Sequence, residues 1–139
     1  NFKYSDVLSA IGRIQLKDVS RKMTACKKIY KQYENELNAF HFIDIIPVQE
    51  QNGELPIYIE VLSPIRQQVM EYLSTQKIET RVFPPSLHLA PQFNCYNKTF
   101  PNSTLIGEKA FYLPAGPDQS EENLNRVFEG LKSFQKLYT

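Results

Sequence analysis

The stretch PIYIEVLSPIRQQVMEYLSTQKIETRVFPP, residues 56–85, passes from strand to helix and back to strand within thirty residues. Pro56 to Leu62 is rich in β-branched and aromatic side chains and reads as a strand. Ser63-Pro64 is a helix start, a capping hydroxyl followed by proline at the first helical position. Ile65, Val69 and Leu73 then hold the helical period to about Gln76. Ile78-Glu79-Thr80-Arg81-Val82-Phe83 reads as a second strand, ended by Pro84-Pro85.

Upstream, Ser5-Asp6 supplies a capping hydroxyl to a strongly periodic segment. Leu16, Val19, Met23, Cys26, Tyr30, Tyr33 and Leu37 step by three and four residues and line one helical face. Lys17, Arg21, Lys28, Lys31 and Glu34 occupy the other face, and Val7, Ile11 and Ile14 extend the apolar stripe toward the N-terminus. One helix over residues 5–39 would run roughly 50 Å at 1.5 Å per residue. That exceeds what a domain of this size needs, so the helix is expected to bridge to a second domain or to lie along a partner subunit.

Downstream, residues 84–102 form a proline-rich loop without periodicity, a kind of segment that in compact domains usually serves function or is disordered. A short helix over residues 103–110, a strand at Phe111-Tyr112-Leu113-Pro114 and a last helix capped by Ser120 complete the chain. Glu121 and Glu122 sit in the first turn of that helix, where its dipole favours anions, and Leu124, Val127, Phe128, Leu131 and Phe134 form its buried face. The expected fold is α+β: a small three-stranded, mainly antiparallel sheet with helices on one side and a long N-terminal helix.

The 139 residues fit one domain, residues 1–139. A hydrophobic fraction of 42% and a charged fraction of 22% are ordinary for a soluble globular protein. A net charge of +1 gives no electrostatic case for nucleic acid or an anionic membrane. No apolar run approaches the ~20 residues that span a bilayer. Cys26, Cys95, His41 and His88 fall at no metal-ligand spacing, so two free thiols in a reducing cytosol and no bound metal are expected, with cytoplasmic localisation. The chain opens on Asn1 without an initiator Met and enters a helix almost at once, which suggests a piece of a longer polypeptide.

Residues alone offer little chemistry, with no Gly-rich phosphate loop, nucleophile elbow or HExxH pattern. His88 lies between apolar neighbours and suits either a packed, hydrogen-bonded histidine or a ligand contact. Arg81 can pair with a carboxylate of its own fold or fork onto a ligand phosphate or carboxylate. Asn1 and Lys3 precede a capped helix start that suits an anion, although a solvated terminus is the plainer reading.

Three segments nevertheless match a known pattern in order and spacing. Asn1-Phe2-Lys3-Tyr4-Ser5-Asp6, Ala10-Ile11-Gly12 and Gln15-Leu16 resemble the Asn-Tyr-Arg-Met-Ser-Asp…Ala-Ile-Gly…Gln-Leu segment of the DegT/DnrJ/EryC1/StrS aminotransferases. Residues 78–91 resemble their Gly-Ile-Glu-Thr-Arg…Tyr-Pro-Pro-Leu-His…Pro stretch. Phe100-Pro101-Asn102, Leu113-Pro114-Ala115-Gly116-Pro117 and the final helix resemble their closing Phe-Pro-x-Ala…Leu-Pro-x-x-Pro pattern.

The resemblance implies the C-terminal small domain of a type I pyridoxal 5'-phosphate enzyme, with the Schiff-base lysine in a large domain upstream. It implies a homodimer with composite sites, in which Asn1 and Lys3 match residues near the partner's cofactor phosphate. Lys3 stands where the family usually has arginine, and so keeps the charge but loses the bidentate fork. Arg81, Phe83 and His88 match positions near the substrate mouth; Phe83 replaces a common tyrosine or histidine, and Ser86 before Leu87 is a further departure. The implied parent moves an amino group from glutamate to a nucleotide-linked keto-sugar, as in making amino sugars for surface polysaccharide or antibiotics. This chain alone is expected to be inactive and to hold no cofactor covalently. The alternatives are a stand-alone regulatory or dimerisation module without catalysis, and a dehydratase relative that keeps the cofactor.

Overall fold

The computed structural model describes residues 3, 5–93 and 99–138. Its elements are α1 (Asp6–Lys17), α2 (Val19–Leu37), β1 (Asp44–Ile45), β2 (Ile59–Leu62), α3 (Arg66–Thr75), β3 (Arg81–Val82), α4 (Pro101–Lys109), β4 (Ala110–Leu113) and α5 (Glu121–Tyr138). Single 3-10 turns lie at Glu50–Asn52, Leu87–Leu89 and Pro91–Phe93. The strands form one sheet in the order β1-β2-β4-β3, every neighbour antiparallel.

The sheet therefore has four strands, not three. The extra strand, β1, pairs Asp44 with Leu62 and Ile45 with Val61. Two residues are too few to show a period of two, and Pro47 stops the ladder from growing. The two longer strands also shrink. Of residues 56–62 only 59–62 pair, and of residues 78–83 only Arg81 and Val82 do, with one further bond from the Phe83 N–H to the Ala110 carbonyl at 3.2 Å.

The core lies between one face of this sheet and three helices. Ile59 and Val61 of β2 face the same side as Phe111 and Leu113 of β4, since Ile59 opposes Leu113 and Val61 opposes Phe111. Against them pack Ile29, Tyr30, Tyr33 and Leu37 of α2, Val69 and Leu73 of α3, and all five apolar positions expected of α5. Full burial of each such side chain contributes roughly 1.5–3 kcal/mol. Phe134 is the hub of the aromatic part, with ring centroids 4.4 Å from Tyr138, 4.9 Å from Phe42 and 5.5 Å from Tyr72.

Polar side chains fix the layers in register. The Tyr33 hydroxyl donates to the Pro114 carbonyl at 2.8 Å, and its ring meets Phe128 edge-on at 5.1 Å. Burial pushes the Tyr33 phenol well above its ordinary range. The Tyr30 hydroxyl accepts from the Val48 N–H at 3.0 Å, tying the segment after β1 to α2. Ser63 is fully buried; its hydroxyl donates to the Phe42 carbonyl at 2.6 Å and accepts from the Ile65 N–H at 3.2 Å. Its capping role is thus spent on the turn ahead of α3, which begins at Arg66.

The expected 35-residue helix is broken at Asp18, whose backbone (φ −101, ψ 1) ends α1 and opens α2. Aspartate competes poorly in a helix interior but suits a helix start. Arg21 grips its carboxylate with Nε and Nη2 at 2.8 and 2.7 Å and holds it below the usual carboxylate range. The apolar stripe divides at about the same place. Cys26, Tyr30, Tyr33 and Leu37 are buried, whereas Leu16, Val19 and Met23 are exposed and α1 has no buried residue.

Helix α3 ends in a Schellman arrangement. The Ile78 N–H bonds the Leu73 carbonyl and the Lys77 N–H the Ser74 carbonyl, each at 2.9 Å. Lys77 takes the left-handed position, φ 59, which glycine adopts without cost and which holds glycine in the related stretch quoted above. Ile78 and Leu73 meet α5 at Gly130, where an added methyl would lie 2.9 Å from Ile78 Cδ1 and 3.2 Å from Leu73 Cδ2.

Two stability changes follow. Phe134→Ala is expected to lower the unfolding free energy by about 3–5 kcal/mol in chemical denaturation, since the site is ringed by aromatics that cannot collapse into the gap. Lys77→Gly is expected to raise it by about 0.5–1 kcal/mol in the same measurement; a loss of stability would contradict the strain assigned to that backbone.

Candidate functional site

The sheet face turned away from the core carries the first cluster. Alternation along β2 puts Tyr58 and Glu60 on the side opposite Ile59 and Val61, and the register sets Glu60 and Arg81 on either side of Tyr112. The Tyr112 ring lies 5.3 Å from Tyr58 and stacks on Phe83 at 5.2 Å with an interplanar angle of 21°. Burial and then the Glu60 carboxylate push the Tyr112 phenol above its ordinary range, while Arg81 opposes that shift. Burial likewise raises the Glu60 carboxyl. Among the described residues the Arg81 guanidinium makes no ion pair and no side-chain hydrogen bond; its backbone pairs with Tyr112. Arg81 and Tyr112 also line a groove of about 370 Å³ that runs past the end of α3 to α5.

The second cluster lies in the loop before α4. The Ser86 hydroxyl is buried and donates to the Ser103 carbonyl at 2.6 Å. Gly107 permits the approach, since an added methyl would come 2.5 Å from Ser86 Oγ and 3.2 Å from its backbone nitrogen. Ser86, a departure from the family pattern, thus pins this loop onto α4. His88 sits half-buried 3.2 Å from Thr104 Oγ1, with its ring 5.1 Å from Phe100, which is the packed, hydrogen-bonded environment. Leu87, Phe93 and Phe100 complete a mainly apolar pocket around it.

The structure thus brings Arg81 and Phe83 together around Tyr112 and places His88 in a different pocket. Lys3 is exposed on the lead into α1, whose start is capped by the Ser5 hydroxyl accepting from the Leu8 N–H at 3.3 Å. Lys3 lines neither cavity. Asn1 lies outside the described residues, as does Cys95; Cys26 is a buried free thiol. Among the described residues no group of three or more His, Cys, Asp or Glu side chains could hold a metal, and no helix is long and apolar enough to cross a membrane. Tyr58, Glu60 and Tyr112 were not singled out from the sequence, although alternation about Ile59 and Val61 was the signal that could have placed the first two on the open face.

Solved structures with the same fold are numerous. Superposition on the aminotransferase TlmJ of Streptoalloteichus hindustanus gives a TM-score of 0.82, with 18% identity over 96% of this chain and 37% of that one. DesV of S. venezuelae gives 0.81, with 18% identity over 93% of this chain and 36% of that one. Helicobacter pylori PseC, an aminotransferase involved in pseudoaminic acid biosynthesis, gives 0.81, with 14% identity over 99% of this chain and 39% of that one. The chain spans about a third of the length of these proteins. No curated protein sequence matches it. A family model does match, over residues 1–132, and it covers the Asn1–Leu16, Ile78–Pro91 and Leu113–Pro117 segments together with most of α5. The chain belongs to the DegT/DnrJ/EryC1/StrS aminotransferase family.

Proposed function

We propose that this chain is the small C-terminal domain of a pyridoxal 5'-phosphate-dependent aminotransferase that moves an amino group from glutamate to a nucleotide-linked keto-sugar, in a cytoplasmic homodimer. Arg81 carries the reading from the structural side. It is a guanidinium on the open sheet face, beside the Phe83–Tyr112 stack, with no carboxylate partner among the described residues. Such a group is suited to fork onto a phosphate or carboxylate of a ligand, while stacked rings offer a flat apolar wall to a sugar or base. His88 would contribute from its separate pocket through Nδ1, since Thr104 Oγ1 lies against Nε2.

The cofactor would supply the electron sink of the reaction when bound. In this reading the Schiff-base lysine lies in the large domain upstream; no described lysine of this chain is buried, whereas that lysine works in a closed, water-poor pocket. No step through the cofactor is therefore assigned to this chain's described residues. Their part in the proposal is to position the substrate, and that of Asn1 and Lys3 is to meet the cofactor phosphate of a partner subunit. The uncovered stripe of α1, with Val7, Leu8, Ile11 and Ile14 all at least half exposed, gives such an assembly a surface to bury.

Reading the coding sequence upstream of Asn1 is the first test. A continuous frame with a Ser-x-x-x-Lys-type cofactor segment is expected, and an initiator codon directly before Asn1 would favour the stand-alone module instead. In the longer enzyme, Asn1→Ala is expected to weaken cofactor retention by ~1.5–3 kcal/mol, measured by equilibrium dialysis. Arg81→Gln is expected to raise KM for the sugar nucleotide about tenfold with cofactor content unchanged; an unchanged KM would remove Arg81 from the substrate site.

A further inference from the structure

The groove that Arg81 shares with α5 has a charge pattern that substrate positioning alone does not account for. Lys77, Arg81 and Arg126 line it with a single carboxylate, Glu79. Elsewhere on the surface Arg21, Lys27, Lys28, Lys31 and Lys132 each sit within 4 Å of an acidic partner, and the described cations that do not, such as Arg13, Lys17 and Lys109, do not converge on one cavity. None of the three groove cations has such a pair among the described residues. Arg126 has one bond, from Nη2 to the Gln76 carbonyl at 3.5 Å, at the long limit, which sets its guanidinium beside the end of α3 and leaves its other donors to the groove. Gln119 and Asn123 line the same space and carry amide N–H donors.

Lys77 sharpens the pattern. It holds a backbone conformation that costs a side-chain-bearing residue and not glycine, and it does so at the rim of the groove. Strain kept at a cavity is grounds for asking what the side chain does there.

We propose that this groove binds the phosphate group of a small phosphorylated molecule. Three cations against one carboxylate leave a local charge of about +2, which matches the roughly −1.5 to −2 of a phosphate monoester. Two arginines present the planar fork that phosphate oxygens accept, and a lysine adds a point charge. A volume of about 370 Å³ admits a small organic phosphate rather than a macromolecule. The groove is open to water, so binding is weak and sensitive to salt. The proposal rests on the substrate reading of Arg81 and extends it to Lys77 and Arg126; the two fail separately, because an unchanged KM in Arg81→Gln would sink the substrate role, whereas loss of saturable phosphate shifts would sink the groove site.

The test is a nuclear magnetic resonance titration of the 139-residue chain with inorganic phosphate and with pyrophosphate, ionic strength held constant with chloride. Saturable shifts confined to residues 77–81, 112–115 and 119–127 are expected. Lys77→Gly, which relieves the backbone while removing the charge, and Arg126→Gln should each weaken binding roughly two- to fivefold. Lys136→Gln, at the far end of α5, should leave it unchanged. Shifts that rise linearly without saturating, that spread over the surface, or that persist unchanged in both groove variants would overturn the site.

Discussion

The buried hydroxyl of Tyr33 is the constraint on which the arrangement of layers turns. Apolar burial would hold α2, the sheet and α5 together in several registers, because it is non-directional. A phenol with no exposure has a single way to avoid leaving its donor unsatisfied, and that is the Pro114 carbonyl. Fixing Pro114 fixes the end of β4 and the entry into α5, and the edge contact with Phe128 sets how far α5 can roll. Tyr30, one turn earlier, does the same for the segment after β1, and Ser63 ties the end of β2 back to Phe42. Three hydroxyls thus convert a greasy contact into one specific packing.

That specificity explains which parts of the architecture were legible in the sequence. The buried face of α5 was readable residue by residue, because a helix with one apolar stripe has one way to lie on a core. The strand–helix–strand order of residues 56–83 was readable from composition and from Ser63-Pro64. The fourth strand was not, because Asp44 and Ile45 owe their strand character to the partners Leu62 and Val61 and to nothing in their own pattern. The break at Asp18 was equally hidden: a stripe stepping by three and four residues continues across it, and only the backbone of one residue departs. Lys77 hides its left-handed turn for a related reason, since lysine is a common helix residue and carries none of the signal that glycine would.

The candidate site was legible through likeness more than through chemistry. Arg81 stood out as a charge in an apolar run, and its lack of an intramolecular partner fits the choice that the sequence left open. Phe83 drew attention only as a departure from a pattern. Its stack on Tyr112 depends on an antiparallel pairing between segments some thirty residues apart. Arg126 could not be placed at all, because its position on α5 gains meaning only where α3 ends beside it.

The division of the N-terminal stripe has a consequence for cooperativity. Twelve residues of α1 add nothing to the core, and a helix of that length is marginal in water on its own, where isolated helices need ~12–15 residues to persist. The unit that folds and unfolds as a whole is therefore expected to begin with α2, which Arg21 ties to Asp118, and α1, with no buried residue, to form a second, weaker unit. A melting curve of this chain would report the first unit and be nearly blind to the second, so that covering α1 would add helical order without raising the stability of the domain it leads into.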